Sequence, residues 1–235
     1  MIDSICNCVM LLSFAQCRMD INIRDRRFDF LILLVLVDLF FIGLHVVYKF
    51  GVVSNPLYSI EIDWGYAEVF QYIKEYWIVA LLIAAGVRLK AKVYFPWALL
   101  FVYLLFDDSL QVHENVGKYI ATSFNIPGVF NLRSIDIGEL LVGLAAGGIL
   151  LLFVAYYHWK SSLIRRRSSW TLFLMLVMVA FFGVFVDLLH SAIPWFHGVF
   201  GLIEDGGEML VFSLILWYAY SLSDQSSGIP EQEAP

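Results

Sequence analysis

Apolar residues fall in six long runs, over about 28–50, 67–89, 93–116, 138–159, 170–193 and 199–222. At a rise of about 1.5 Å per residue, each run is long enough for a helix to cross an apolar core about 30 Å thick. The pattern predicts an all-α fold, a polytopic membrane bundle of six transmembrane helices over residues 28–222. Residues 1–27 are expected as a cytoplasmic segment, and 223–235, polar and acidic, as a disordered cytoplasmic tail. Residues 1–18 lack the basic n-region of a signal peptide, and translation is expected to begin at Met19. No internal repeat or second globular domain is visible.

Composition agrees with the pattern. The 235 residues are 60% hydrophobic and 17% aromatic, with a mean hydropathy of +0.77, too apolar for a soluble domain of this length. Basic residues then set the orientation. Arg18, Arg24, Arg26 and Arg27 precede the first run, Arg88, Lys90 and Lys92 join the second to the third, and Lys160, Arg165, Arg166 and Arg167 join the fourth to the fifth. The alternate loops are poor in Lys and Arg, which predicts that both termini are cytoplasmic. Trp159, Trp170, Trp217 and Tyr220 then mark the inner interface, and Trp64 and Trp195 the outer one. In the fourth run, Gly138, Gly143, Gly147 and Gly148 predict close helix packing inside the bundle. The net charge of −6 leaves no basic stripe for nucleic acid.

The polar interruptions of these runs are the informative residues. Asp107, Asp108, His113 and Glu114 close the third run; on an unbroken helix, Asp107, Gln111 and Glu114 share a face. The plain alternative is a helix that ends at Phe106, with a wet turn after it. Asp187 and His190 stand three apart in the fifth run, and Glu204, Asp205, Gly206, Gly207 and Glu208 open the sixth. Glu139 opens the fourth run, His45 lies in the outer part of the first, and Glu68, Gln71 and Glu75 share one face of the second. Asp38 alone sits near the midplane. The outer half of the bundle is thus expected to hold a layer of carboxylates and imidazoles with almost no Lys or Arg.

Crowded carboxylates in low dielectric must share protons or bind cations. Imidazole beside carboxylate suits Zn²⁺ or another divalent cation. The expected ligands are Asp107, His113, Asp187, His190, Glu204 and Glu208, with His45 and His197 as further imidazoles. Asp108, Glu114 and Asp205 are then the carboxylates left for general acid–base work. His113, Asp187, His190, Glu204 and Glu208 are expected to form one site near the outer surface. Cys6, Cys8 and Cys17 fit neither a zinc spacing nor a disulfide framework.

Through Asp107-Asp108…His113-Glu114 and Glu204-Asp205-Gly206…Glu208, the chain resembles a group of bacterial multi-pass membrane proteins without an established reaction. More distantly, Asp107, His113, Asp187 and His190 make it similar to the alkaline ceramidase and adiponectin-receptor superfamily, whose members carry an intramembrane zinc site. With six runs in place of seven and no late His-x-x-x-His pair, what that resemblance implies is intramembrane metal hydrolysis alone.

The leading expectation is a metal-dependent hydrolase acting on a lipid-like ester or amide in the outer half of a bacterial inner (plasma) membrane. A zinc-bound water would attack the carbonyl, with a spare carboxylate as general base. An ion- or proton-coupled transporter or permease is the alternative, because intramembrane acids and histidines build proton relays and cation sites. A membrane assembly subunit is a third. Bis-His haem ligation would need two inward histidines at matched depth.

Overall fold

The computed structural model describes residues 26–129, 132–193 and 197–224, without the side chains of residues 26 and 197. The expectations for residues 1–18, the three cysteines, Trp195 and the His197 side chain lie outside these. Among the described residues, every regular element is helical. Helix α1 spans Arg26–Lys49, α2 Tyr66–Arg88, α3 Tyr94–Leu110, α4 Val112–Ser123 and α5 Ser134–Trp159. Helix α6, Leu163–Ala180, runs on through a π-helical segment, Phe181–Val186, into α7, Asp187–Ala192. Helix α8, His197–Asp224, closes the described chain. It takes in Ser223 and Asp224, which the hydropathy pattern assigns to the tail; Arg27 holds Asp224 at 2.8 Å.

Four stretches are long and apolar enough to cross a membrane: Arg27–Lys49, Tyr66–Arg88, Ser134–Trp159 and Leu163–Ala192. A fifth is added if α3 and α4 count as one span, although they meet at a bend of 72°. The uninterrupted third helix expected over 93–116 is therefore broken. The break falls at Gln111, which adopts the left-handed conformation at φ 51°, ψ 45°. Asp107 makes this break tenable, because its Oδ1 accepts from the His113 backbone N–H at 2.8 Å and satisfies a first-turn donor of α4. Neither the unbroken helix nor an ending at Phe106 describes this segment.

Helix α8 is the axis of the bundle and packs against α1, α2, α6, the π-helical segment and α7. In the half with the basic turns, Ile78, Leu82 and Ala85 of α2, Trp97 and Phe101 of α3, Leu172 of α6, and Ile215, Leu216 and Ala219 of α8 are fully buried. The Trp97 indole donates to Ser169 Oγ at 2.9 Å. Arg165 donates to the Leu89 carbonyl at 2.8 Å, so the α2 and α6 ends carrying the basic residues lie together.

The glycines of α5 do not place it inside the bundle. A methyl at Gly143, Gly147 or Gly148 would meet nothing within 4 Å, and Leu144, Ile149, Leu152 and Phe153 are exposed. Only Gly138 is used for close approach: a Cβ there would collide with the Gly117 carbonyl of α4. The contact works because α4 turns away from α3 at Gln111 and lies against the start of α5.

Gly138→Val should thus lower the thermal stability of the detergent-solubilised protein by about 1–3 kcal/mol, the usual range for overpacking. Gly147→Val should leave the melting curve unchanged. Equal effects of the two would contradict this packing.

Candidate functional site

Three helices bring one ion pair to the middle of the bundle. Asp38 of α1, Lys74 of α2 and Ser213 of α8 are each fully buried. Lys74 Nζ donates to Asp38 Oδ1 at 2.9 Å, to the Met209 carbonyl at 2.7 Å and to Ser213 Oγ at 3.3 Å. The Ser213 hydroxyl donates in turn to Asp38 Oδ2 at 2.5 Å. An ammonium has three N–H donors, so Lys74 is fully committed. The Phe70 ring, 5.1 Å from Nζ, covers one side of the charge.

Beside this pair opens a cavity of about 140 Å³. Its wall carries the carboxyls of Glu61, Asp63, Glu68, Asp108, Glu114, Asp205 and Glu208, with His113, Gln71, Gln111 and Tyr72 among them. Among the described residues, no Lys or Arg lines it. The kink positions several of these groups: Gln111 Nε2 donates to Asp63 Oδ2 at 2.6 Å, tying the break to the loop after α1. Tyr72 donates to the Asp108 backbone carbonyl at 3.3 Å, and Glu68 accepts from the Trp64 N–H. On the far side, Gln71 donates to Glu208 Oε2 at 3.4 Å. Glu208 lies against the π-helical segment at Gly183, where any Cβ would strike its carboxylate.

Glu75, one residue past Lys74, is fully buried, and among the described residues neither of its oxygens meets a nitrogen or hydroxyl donor. The side chain in reach is the carboxyl of Asp108, with Glu208 close by.

The residues expected to form a single site fall into separate places. His113 Nδ1 lies 3.1 Å from Asp107 Oδ2, within the α3–α4 kink. His190 pairs with Glu204 at 3.0 Å, with the Phe200 ring stacked on it. Asp108, His113, Glu114, Asp205 and Glu208 line the cavity, whereas Asp107, Asp187, His190 and Glu204 do not. His45 is enclosed and binds the loop after α1: its Nδ1 accepts from the Ile60 N–H at 3.2 Å and lies 3.2 Å from Ser59 Oγ. Among the described residues, no three His, Cys, Asp or Glu side chains form a group able to hold a metal ion. The expected zinc or other divalent cation thus finds no ligand set there, and the hydrolase expectation gains no support. The physical reason is that the imidazoles do not converge: His113 lies beside Asp107, His190 beside Glu204, and His45 is held by the loop after α1. The break at Gln111 also takes Glu114 off the face it would share with Asp107 on an unbroken helix.

The sequence model of a family described as Domain of unknown function (DUF8692) matches residues 8–223. The chain belongs to the DUF8692 family. No curated protein and no solved structure matches it.

In this DUF8692 chain, the residue that pattern reading passes over is Lys74. It lies on α2 among the acids, where it looks like one more polar residue near a helix mouth. Depth was the available signal. Lys74 stands about 21 Å from the α2 end carrying Arg88, and Asp38 about 18 Å from the α1 start at Arg26, by the helical rise. An intramembrane Lys and Asp at matched depth are expected partners. Ser213 and the Met209 carbonyl carried no such signal.

Lys74→Ala should destabilise the protein by about 3–5 kcal/mol, because it strands the Asp38 carboxylate in the core. The double variant Lys74→Met, Asp38→Leu should recover most of that loss in thermal unfolding. A double variant as unstable as the single one would show that the pair is not the source of the effect.

Proposed function

We propose that this protein is an ion- or proton-coupled permease, with the acidic cavity as its outward-facing vestibule. Six spans cross the membrane in this reading, and both termini are cytoplasmic. The alternation of basic and poor loops supports that orientation. So do the contacts between Arg165 and Leu89 and between Arg27 and Asp224, which gather the basic segments at one end of the bundle. Helix α8, 28 residues long, is the sixth span. It is shielded by its neighbours rather than by lipid, so it tolerates three acids in its first half.

The observation that carries the reading is the buried Lys74–Asp38 pair beside a cavity walled by carboxyls. Such a cavity concentrates cations and repels anions, because field lines from the acids focus within low-dielectric walls. A charge pair one layer deeper supplies the groups that an arriving ion or proton can rearrange. The opposite half of the bundle is shut by Trp97, Phe101, Leu172, Ile215 and Leu216, all fully buried. This is the arrangement of a closed inner gate below an open outer mouth. Passage inward requires α6 and α8 to part, and the π-helical segment gives α6 a place to change register.

Purified protein reconstituted into liposomes should dissipate an imposed cation or pH gradient, and Glu208→Gln should bring the flux down to that of empty vesicles. Equal flux through the wild type and Glu208→Gln would remove the basis of this reading. Orientation is checked separately: a reporter fused after Leu222 should be active only in the cytoplasm.

A further inference from the structure

We propose that Glu75 and Asp108 hold one exchangeable proton between them, so that H⁺ is the ion of the permease. The inference rests on the permease reading and names its ion.

Among the described residues, no nitrogen or hydroxyl donor serves Glu75. Lys74 spends its three N–H bonds on Asp38, Met209 and Ser213, and Ser213 spends its hydroxyl on Asp38. Gln71 is directed at Glu208. Glu75 is fully enclosed with both oxygens unserved, and the group in reach is a second carboxyl, on Asp108 of α3. Two carboxyl groups can hydrogen-bond only if one of them holds a proton. A buried acceptor left without any donor is costly, and a shared proton gives each carboxyl one hydrogen-bonded oxygen.

Asp108 lines the cavity and Glu75 lies behind it, which gives the proton a route to vestibule water. The charged and titratable groups facing the pair are Lys74, Glu68 and Tyr72 from α2, Tyr103 and Asp107 from α3, Glu208 from α8, and His113 from α4. With the proton in place the pair carries one negative charge, and without it two. The second charge arises one residue from Lys74 and competes with Asp38 for the same ammonium. Proton release into the vestibule thereby loosens the junction of α1, α2 and α8, and proton uptake restores it. A metal ion is a poorer occupant, since no group of ligands able to hold one is present among the described residues.

Infrared difference spectra of the purified full chain in detergent test this directly. A protonated-carboxyl C=O band, shifted in D₂O, should be present at neutral pH and be lost in both Glu75→Gln and Asp108→Asn. Gln and Asn each keep an N–H donor for the remaining carboxylate, so either variant can retain the fold. The band should not respond to sodium at constant pH. Absence of the band, its survival in both variants, or its removal by sodium would overturn the proposal. Flux without the band would leave the permease reading intact with another ion, whereas the band without flux would sink the permease reading alone.

Discussion

Placing Lys74 and Asp38 in the middle of an apolar bundle costs several kcal/mol per ion in desolvation. That cost is met only where the ammonium reaches Asp38, the Met209 carbonyl and Ser213 together, and where Ser213 closes the ring onto Asp38. The requirement is geometric. Helices α1, α2 and α8 must meet at one level and in one rotation, because sliding any of them by a residue strands a charge. Apolar packing among Ile78, Leu82, Ile215 and Leu216 tolerates small shifts, but the ion pair does not. The pair therefore fixes the register of the three helices, and with it the placement of every polar group borne on them.

The acids nearer the mouth follow a different rule. Glu61, Asp63, Glu68, Glu114 and Asp205 face a cavity, where water can solvate them. One buried lysine could not balance so many carboxylates, and it is already engaged. The polar groups thus divide into a wet set, which needs only space, and a dry set of Asp38, Lys74, Ser213 and Glu75, in which each atom must be matched. Glu75 stands at the boundary, dry itself but next to the cavity wall at Asp108.

Two departures from regular α-helix bring elements to this cavity. Gln111 breaks the chain between α3 and α4 and reaches Asp63. The π-helical turn at Phe181–Val186 brings Gly183 against Glu208. Irregular backbone at membrane depth is tolerated where protein or a water-filled cavity can satisfy it. Asp107 illustrates the compensation, since it supplies the acceptor that the first turn of α4 would otherwise lack.

Apolar runs and their spacing by themselves determined that the chain is helical and membrane-like, and placed the ends of the first, second, fourth and sixth runs close to the observed helix ends, whereas the third is broken at Gln111 and the fifth begins earlier, at Leu163. Helix formation and lipid compatibility are local properties, set by what lies within a turn or two of each residue. The crowding of acids toward one end of the spans was legible for the same reason. Tertiary structure decided the rest. Which carboxylate takes which imidazole depends on the rotation of α7 against α8 and on the kink at Gln111, and no glycine or proline marks that kink in the sequence. The glycines of α5 read as a packing face, yet three of them meet nothing, because α4 lies against the start of α5, at Gly138 and Glu139, and not along the rest of it. Lys74 looked like one more polar residue at a helix mouth, and it became the centre of the bundle only when Asp38 and Ser213, from opposite ends of the chain, came within hydrogen-bonding distance. Helical rise matched the depths of Lys74 and Asp38, but which groups meet is a property of three-dimensional approach.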